Sequence, residues 1–319
     1  MSFTISLAGI VAAPSQIDPV FLNSPVLEGT RLDRSLGCQV VAKVETENPV
    51  GSFKGRGTEL FAATALTPGQ TVVCASAGNF GQGLARAAGR RGHACVVFAA
   101  ENANPMKIEA MRRFGADVKL VGSDFDAAKE AAYIYASERG LRFVEDGSEA
   151  AIAEGAGTIG LELVAAERFD AILVQLGNGA LLAGVGTALR ELAPRTEIIA
   201  VVAANAPAMK LSLEAGAAVQ TGQANTIADG IAVRVPIPGT LALLRHCCDD
   251  IVAVEDTAIV QALRLAHRDL GLILEPAGAA GIAAMMADPG RFRGRRIATL
   301  LSGGNLSSDL RAQLLSPST

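Results

Sequence analysis

Lys54 is the residue best placed to act as a nucleophile. It lies in the segment NPVGSFKGRG, residues 48–57, where Pro and Gly predict a turn and Ser52 is a candidate helix N-cap. Lys54 then falls in the first helical turn, where an exposed cation costs about 0.3–1 kcal/mol. The same field favours a neutral amine, which can attack a carbonyl group. The alternative is a solvated lysine that tolerates this cost.

Residues 76–83, SAGNFGQG, follow a predicted strand and lead into a predicted helix. Their small side chains expose backbone N–H groups at the start of that helix, and such groups suit a carboxylate. Asn79 adds a side chain that can donate or accept a hydrogen bond. The alternative is an ordinary strand-to-helix turn.

Residues 177–184, GNGALLAG, form a glycine-rich link between a predicted strand and a predicted helix. Backbone N–H groups in such links bind phosphate. No GK[ST] follows, so this is not a Walker A loop. The next strand runs into Ala204-Asn205-Ala206-Pro207, without the acidic residue that a dinucleotide ribose requires. The pattern favours phosphate over NAD.

The last predicted strand ends in LSGGN, residues 301–305, which puts the hydroxyl of Ser302 at a strand end. Alone, this pattern is also that of a simple exit turn. Together with a lysine amine, a carboxylate-binding loop and a phosphate-binding loop, it describes a pyridoxal-phosphate site.

The elements that must position these loops are apolar strands alternating with helices. Most strands are continuous Val, Ile, Leu and Ala runs, which is typical of strands covered on both faces. The alternation predicts βαβ units and a mostly parallel sheet, with ligands at the carboxyl ends of the strands. The predicted strands are 40–44, 71–75, 94–98, 117–121, 142–144, 171–176, 197–203, 251–254 and 296–301. The predicted helices are 54–66, 80–91, 105–114, 125–139, 155–167, 181–193, 257–270 and 278–287.

Composition excludes several classes of protein. A net charge of −4 over 319 residues predicts no binding to nucleic acid or to an anionic membrane. The three histidines lie in unrelated segments, which argues against a His-rich zinc site or a Ser-His-Asp triad. Five cysteines without CxxC spacing favour ordinary thiols in a reducing cytoplasm. No Lys or Arg precedes the apolar run at residues 3–14, which argues against a signal peptide.

Six motifs occur in a fixed order: NPVGSFKGRG, SAGNFGQG, GNGALLAG, TIADGIAV, EPAGAAG and LSGGN. In this the chain resembles the threonine/serine dehydratase branch of the tryptophan-synthase-β-like (fold type II) pyridoxal-phosphate enzymes, over about residues 22–310. The resemblance implies two doubly wound, mostly parallel sheet domains with the cofactor in the cleft between them, and a homodimer. We expect a large cofactor-binding domain from residues 1–45 and 151–319, and a small substrate-loop domain from residues 46–150.

The resemblance also implies roles for individual residues. Lys54 would carry pyridoxal 5′-phosphate as a Schiff base, Asn79 would lie beside the cofactor's phenolic oxygen, and Ser302 would hydrogen-bond its pyridine nitrogen. The cofactor phosphate would be surrounded by Gly177, Asn178, Gly179, Ala180 and Leu181, and the substrate carboxylate by Ser76, Ala77, Gly78 and Asn79.

Two acidic residues, Glu275 and Asp229, belong to motifs that do not fix their roles. Glu275 of EPAGA would lie on the substrate side, or else be a solvent-facing carboxylate at a strand end. Asp229 of TIADG would lie near the site but behind the residues that touch ligand.

Three departures from the family pattern shape the expected activity. Phe80 follows Asn79 where relatives often carry His, which makes the pocket less polar. Ala77 stands where racemase-like relatives have a Ser that acts as a second acid–base group, so we expect no racemisation. Residues 202–204 are Val, Ala and Ala where cation-binding relatives have acids, so we expect no metal site.

The activity predicted is elimination of water and ammonia from a β-hydroxy amino acid, foremost L-threonine or L-serine, giving a 2-oxo acid. Alternatives in the family are a dehydratase of a 3-arylserine or hydroxyaspartate, and a β-replacement or threonine-synthase-like enzyme. Outside the family, a non-catalytic phosphate- or nucleotide-binding module would need only the glycine-rich loop. The chain ends about nine residues after SSDL, so we expect no regulatory domain and no feedback by isoleucine.

Overall fold

The computed structural model describes residues 4–306 and 308–315. Phe3, at the start of the apolar run, lies outside the described residues, as do both ends of the predicted large domain. The strands are β1 (Val26–Leu27), β2 (Gln39–Val44), β3 (Val72–Ala75), β4 (Cys95–Ala99), β5 (Asp117–Leu120), β6 (Arg142–Phe143), β7 (Ala171–Gln175), β8 (Glu197–Ala203), β9 (Asp250–Val254) and β10 (Arg296–Leu301).

Helices fill most of the remaining chain, with short 3-10 turns at Ala13–Ser15, Pro19–Phe21, Asp229–Ile231 and Pro238–Thr240. The helices are α1 (Leu7–Ala12), α2 (Arg31–Leu36), α3 (Lys54–Thr64), α4 (Asn79–Arg90), α5 (Pro105–Arg113), α6 (Phe125–Glu138), α7 (Ala150–Ala166), α8 (Ala180–Leu192), α9 (Ala208–Ala215), α10 (Leu241–Cys247), α11 (Asp256–Leu270), α12 (Pro276–Ala287), α13 (Pro289–Phe292) and α14 (Ser308–Leu315). Within the described residues, no helix has both the length and the hydrophobicity that a bilayer crossing requires.

The strands form two sheets. The larger one has the order β1-β2-β10-β7-β8-β9, and only β1 runs antiparallel to its neighbour. The smaller one has the order β5-β4-β3-β6 and is parallel throughout. The predicted class, two mostly parallel sheets wound with helices, is confirmed. The domain boundaries near residues 45 and 150 stay a prediction.

The larger sheet is covered on both faces, as its continuous apolar strands predict. In β8, Ile198, Ala200 and Val202 pack into one hydrophobic core, and the alternate residues Ile199 and Val201 pack into another. This follows from the two-residue period of a strand. Side chains on both faces therefore hold the central strands in place, and their carboxyl ends can position a site.

Two local expectations are wrong. Helix α7 begins at Ala150, five residues before the predicted start. The glycines near its start are not helix breakers: a Cβ on Gly155 would lie 2.6 Å from the Cα of Gly57 on α3, so they permit close helix packing. Ser52 does not cap α3, whose N-cap is Phe53. Instead, Ser52 forms an isolated bridge with Gly303.

Candidate active site

A cavity of about 590 Å³ lies at the carboxyl ends of strands from both sheets. Strand-end loops of the smaller sheet line one side, and those of β7 and β10 line the other. All the residues predicted for the site line this cavity: Lys54, Ser76, Ala77, Gly78, Asn79, Gly177, Asn178, Gly179, Ala180, Leu181, Glu275 and Ser302. The four loops singled out in the sequence therefore meet in one place.

Lys54 is the first residue of α3 and its side chain is 16% exposed. Its ammonium group forms an ion pair with the carboxylate of Asp146, and it lies 4.8 Å from the centre of the Phe53 ring. The first turn of α3 contains no acidic residue. The carboxylate that balances this cation comes instead from the β6–α7 loop.

The loop that carries Asp146 is packed against the glycine-rich loop. Gly147 has a φ of +96°, and a Cβ at that position would lie 2.5 Å from the carbonyl oxygen of Asn178. A side chain at residue 147 would therefore be both strained and without space. This contact fixes the position of Asp146 relative to the predicted phosphate-binding loop.

The SAGN loop has an internal hydrogen-bond pattern that the sequence does not reveal. The hydroxyl oxygen of Ser76 accepts hydrogen bonds from the backbone N–H groups of Gly78 (3.2 Å) and Gly81 (2.9 Å). This leaves the N–H groups of Ala77, Asn79 and Phe80 as the candidates for a substrate carboxylate, the last two in the first turn of α4.

The amide of Asn79 is oriented from both sides. Its Nδ2 donates to Oε1 of Glu275 (2.7 Å), and its Oδ1 accepts from Nδ2 of Asn305 (2.8 Å). Asn305 Nδ2 also donates to the carbonyl oxygen of Val50 (2.8 Å). The LSGGN motif thus contributes an amide that positions Asn79.

Glu275 is only 4% exposed, which rules out the solvent-facing alternative. Burial, reinforced by the charge of Asp229, raises the pKa of Glu275 to about 7, although Lys107, Asn79 and Lys54 oppose the shift. Its second oxygen, Oε2, is buried without a hydrogen-bond partner. Near neutral pH this group can therefore hold or release a proton.

The glycine-rich loop ends at the N-terminus of α8. Gly179 is the N-cap residue, with a φ of +103° that favours glycine. A Cβ on Gly177 would lie 2.8 Å from the carbonyl oxygen of Gly230, so the TIADG segment packs directly on this loop. The unpaired N–H groups in the first turn of α8 can bind a phosphate group.

Gln175 and Ser302 lie at the strand ends on the floor of the cavity. Ser302 is 4% exposed. Gln175 donates through Nε2 to the carbonyl oxygen of Leu300 (2.6 Å), whereas its Oε1 is buried without a partner. Both side chains offer hydrogen bonds but no charge.

Ion pairs bridge the rim of the cavity. Lys107 on α5 pairs with Asp229, and Arg234 pairs with Asp126 on α6. Burial opposes the charge of Lys107, yet Asp229 and Glu275 raise the pKa of its ammonium group above the usual value. Asp229 is 59% exposed and lies at the rim.

These features fit pyridoxal phosphate. A reactive amine and the N-terminus of α8 face the same cavity, and three polar atoms of its lining are buried without partners among the described residues: Asp146 Oδ1, Gln175 Oε1 and Glu275 Oε2. No group of three or more His, Cys, Asp or Glu side chains that could hold a metal occurs in the described part of the chain. The metal-free site stays a prediction.

Sequence reasoning missed several polar residues of the site, among them Lys107, Asp146, Gln175 and Asn305. Asp146 could have been found, because it follows a strand that the sequence did predict. Its segment was instead interpreted as a domain boundary. Asn305 belongs to a motif that was noted only for its serine.

Fold and site together fit an α/β enzyme that uses a phosphorylated cofactor. The model of the pyridoxal-phosphate dependent enzyme family matches residues 17–303, and the chain belongs to this family. The resemblance inferred from the six motifs and the predicted cofactor are thereby confirmed.

Known proteins similar to this chain agree on its branch of the family. The L-threonine ammonia-lyase of Geobacter sulfurreducens is 38% identical over 287 residues, covering 88% of this chain and 71% of the relative. The biosynthetic L-threonine dehydratase of Salmonella typhimurium is 33% identical and 89% of this chain aligns with it, although this chain spans only 56% of that relative. The structure of the processed form of threonine deaminase isoform 2 from Solanum lycopersicum superposes with a TM-score of 0.89 at 30% identity, covering 97% of this chain and 91% of that chain.

Proposed function

We propose that this chain catalyses the pyridoxal-phosphate-dependent deamination of L-threonine and L-serine to a 2-oxo acid and ammonia. One observation carries the proposal. Lys54, the SAGN loop and the N-terminus of α8 face a single cavity of about 590 Å³. The relatives named as threonine ammonia-lyase, dehydratase and deaminase support the same reaction.

Different parts of the site would hold different groups of the cofactor. Lys54 would bind its carbonyl carbon covalently, the backbone of residues 177–181 would bind the phosphate, Asn79 would lie beside the phenolic oxygen, and Ser302 would hydrogen-bond the ring nitrogen; all of these residues line the cavity. When bound, pyridoxal phosphate withdraws electrons from the substrate Cα and so stabilises the negative charge that forms there.

The protein supplies orientation and proton transfer. Backbone N–H groups of the SAGN loop bind the substrate carboxylate and fix the direction of the Cα–H bond. The Lys54 amine removes the Cα proton, and the hydroxyl group on Cβ leaves with the electron pair of its C–O bond. The proton removed from Cα and the departing hydroxyl together make up the water that is lost, and hydrolysis of the remaining enamine gives the 2-oxo acid and ammonia.

The charges around the cavity favour serine and threonine over hydroxyaspartate. Each cationic side chain among the described lining residues is already paired with a carboxylate: Lys54 with Asp146, Lys107 with Asp229, Lys129 with Glu145 and Arg234 with Asp126. A second substrate carboxylate would therefore meet no free cation, and would cost desolvation energy without compensation.

Replacement of Lys54 tests the function directly. We expect Lys54→Ala to lower 2-oxo acid release from L-threonine and L-serine at least about a thousandfold, because it removes both the cofactor linkage and the base. Borohydride reduction followed by peptide mass spectrometry should fix pyridoxal phosphate on Lys54 in the wild type. Lys210→Ala, which removes a half-buried lysine that does not line the cavity, is the matched control. Full activity of Lys54→Ala would refute the proposal.

We propose two further properties, a homodimer and a cytoplasmic location. A homodimer is supported by the family resemblance alone, and sedimentation equilibrium would measure it. A cytoplasmic location is supported by the state of the cysteines, since Cys38, Cys74, Cys95, Cys247 and Cys248 are all free thiols and four of them are buried.

A further inference from the structure

The ion pair between Lys54 and Asp146 has a role that the elimination reaction alone does not assign. To bind the cofactor, Lys54 must leave its ion pair with Asp146. In each turnover the substrate amine takes the place of Lys54 on the cofactor, and the lysine is free again. Asp146 is 15% exposed, lines the cavity, and its Oδ1 is buried without a partner. A partly buried carboxylate in this position needs a donor, and the lysine supplies one.

Other groups near Lys54 cannot take over this role. The N-terminus of α3 repels a cation, and Phe53 offers only the face of its ring. Glu275 is close enough to feel the charge of Lys54, but its Oε1 already accepts the hydrogen bond from Asn79. Among the described residues, Asp146 is the carboxylate in direct contact with the amine.

The position of Asp146 is fixed independently of Lys54. The neighbouring Gly147 packs against Asn178, so the β6–α7 loop and the glycine-rich loop are held together. The carboxylate therefore stays in place when the lysine leaves, and can receive the same nitrogen atom when the lysine returns. This preorganisation avoids the cost of rebuilding a partner in every cycle.

We infer that Asp146 is a positioning residue that receives Lys54 as an ammonium ion whenever the lysine is released, and so stabilises the product of Cα proton removal. The inference rests on the proposed function. In the step concerned, the Cα–H bond breaks, its electron pair stays on the substrate, and the proton forms a new N–H bond at Lys54 Nζ. Asp146 remains ionised and accepts a hydrogen bond from the new ammonium group.

The variant Asp146→Asn should affect two rates in opposite directions. Elimination slows, because the ammonium ion formed at Lys54 loses its counter-charge; we expect kcat for L-serine to fall about tenfold with little change in KM. Capture of pyridoxal phosphate by the cofactor-free protein becomes faster, by about threefold, because Lys54 no longer has to leave an ion pair first. A general structural defect would slow both processes.

The experiment measures three quantities in the wild type and in Asp146→Asn. They are kcat and KM for L-serine, the deuterium isotope effect with Cα-deuterated serine, and the rate at which the visible cofactor band appears when pyridoxal phosphate is added to cofactor-free protein. We expect the isotope effect to rise in the variant, because proton removal then limits the rate more strongly. Asp146→Glu should recover part of kcat.

Glu149→Gln is the matched control. Glu149 lies on the same loop but pairs with Arg142 (2.8 Å) and does not line the cavity, so both rates should stay within about twofold of the wild type. The role of Asp146 is overturned if Asp146→Asn keeps wild-type kcat, or if it slows cofactor capture as well as turnover. If the wild-type protein forms no borohydride-stable adduct on Lys54, the proposed function fails, and this inference fails with it.

Discussion

Glu275 shows how a single buried carboxyl group couples this site to pH. Its pKa is raised to about 7 from an ordinary value of 4.5, chiefly by burial and then by the charge of Asp229. Between these two pH values the folded chain keeps a proton that the unfolded chain has lost. The contribution of the Glu275 carboxyl group to the free energy of unfolding is therefore fully present below about pH 4.5, and it is lost as the pH rises to about 7.

The variant Glu275→Gln should remove this pH dependence. A glutamine can still accept the hydrogen bond from Asn79, and it needs no ionisation when the pH rises. We expect it to be more stable than the wild type at pH 8, by at most about 3 kcal/mol, with a smaller difference at pH 5. Urea unfolding at the two pH values measures this. An equal difference at both pH values would show that the carboxyl group does not titrate in this range.

At the residue scale, the sequence predicts those site residues that belong to a recognisable local motif. Lys54, Asn79, Gly177 and Ser302 belong to strand-end motifs, and all of them line the cavity. Their individual roles stay predictions. Asp146 follows a predicted strand, so its place at a strand end could have been found, but its pairing with Lys54, 92 residues away in the sequence, could not. Contacts of this kind depend on the packing of loops, which a local pattern does not encode.

At the scale of elements, glycines set the distance between the helices that support the site. A Cβ on Gly184 of α8 would lie 2.0 Å from the carbonyl oxygen of Ala153 and 2.5 Å from the backbone nitrogen of Gly157, both on α7. Because the obstructing atoms belong to the backbone, a side-chain rotation cannot relieve the clash. Helix α8 also carries the predicted phosphate-binding loop at its N-terminus, so its position would matter for the cofactor.

The variant Gly184→Ala should therefore be strongly destabilised. We expect the free energy of unfolding to fall by about 3 kcal/mol, despite a gain in helix propensity of up to about 1 kcal/mol. Chemical denaturation measures the change. Gly239→Ala is the control, because no heavy atom lies within 4 Å of the added Cβ, and it should stay within about 0.5 kcal/mol of the wild type. Equal stability of the two variants would contradict the argument.

Strands were easier to predict than helix ends. A buried parallel strand needs a continuous apolar run, and β7 and β8 show such runs directly. The start of α7 was placed five residues too late, since the helical pattern is weak just before residue 150. The two-residue strand β1 was not predicted.

At the scale of the whole molecule, a buried charge network joins β2, α3 and α7. Arg56 is fully buried and donates to Glu45 (2.8 and 2.9 Å) and to Glu162 (2.6 and 2.9 Å), while Lys43 contacts Glu162 (2.7 Å). Burial opposes the charge of Arg56, but the two carboxylates raise the pKa of its guanidinium group further above the usual range. Because Arg56 lies two residues after Lys54, this network also anchors the helix that carries the lysine.

The variant Arg56→Gln should leave two carboxylates without their main partner. We expect a loss of about 3–5 kcal/mol in the free energy of unfolding, with little dependence on salt because the charges are shielded from solvent. Urea unfolding at low and high NaCl tests both points. Lys210→Gln, which breaks the exposed pair with Glu214, should cost only about 0.3–0.5 kcal/mol. A cost for Arg56→Gln as small as that of the control would contradict this account.

The order of the larger sheet has a consequence for protein synthesis. Strand β10, the last of the described strands in chain order, lies between β2 and β7, which are made much earlier. While the chain is still emerging from the ribosome, β2 and β7 thus lack their shared neighbour, and their apolar edges stay open to wrong pairing. Glu275, Ser302 and Asn305 arrive in the same late stretch. Until that stretch has been made, the nascent chain can therefore hold no complete site.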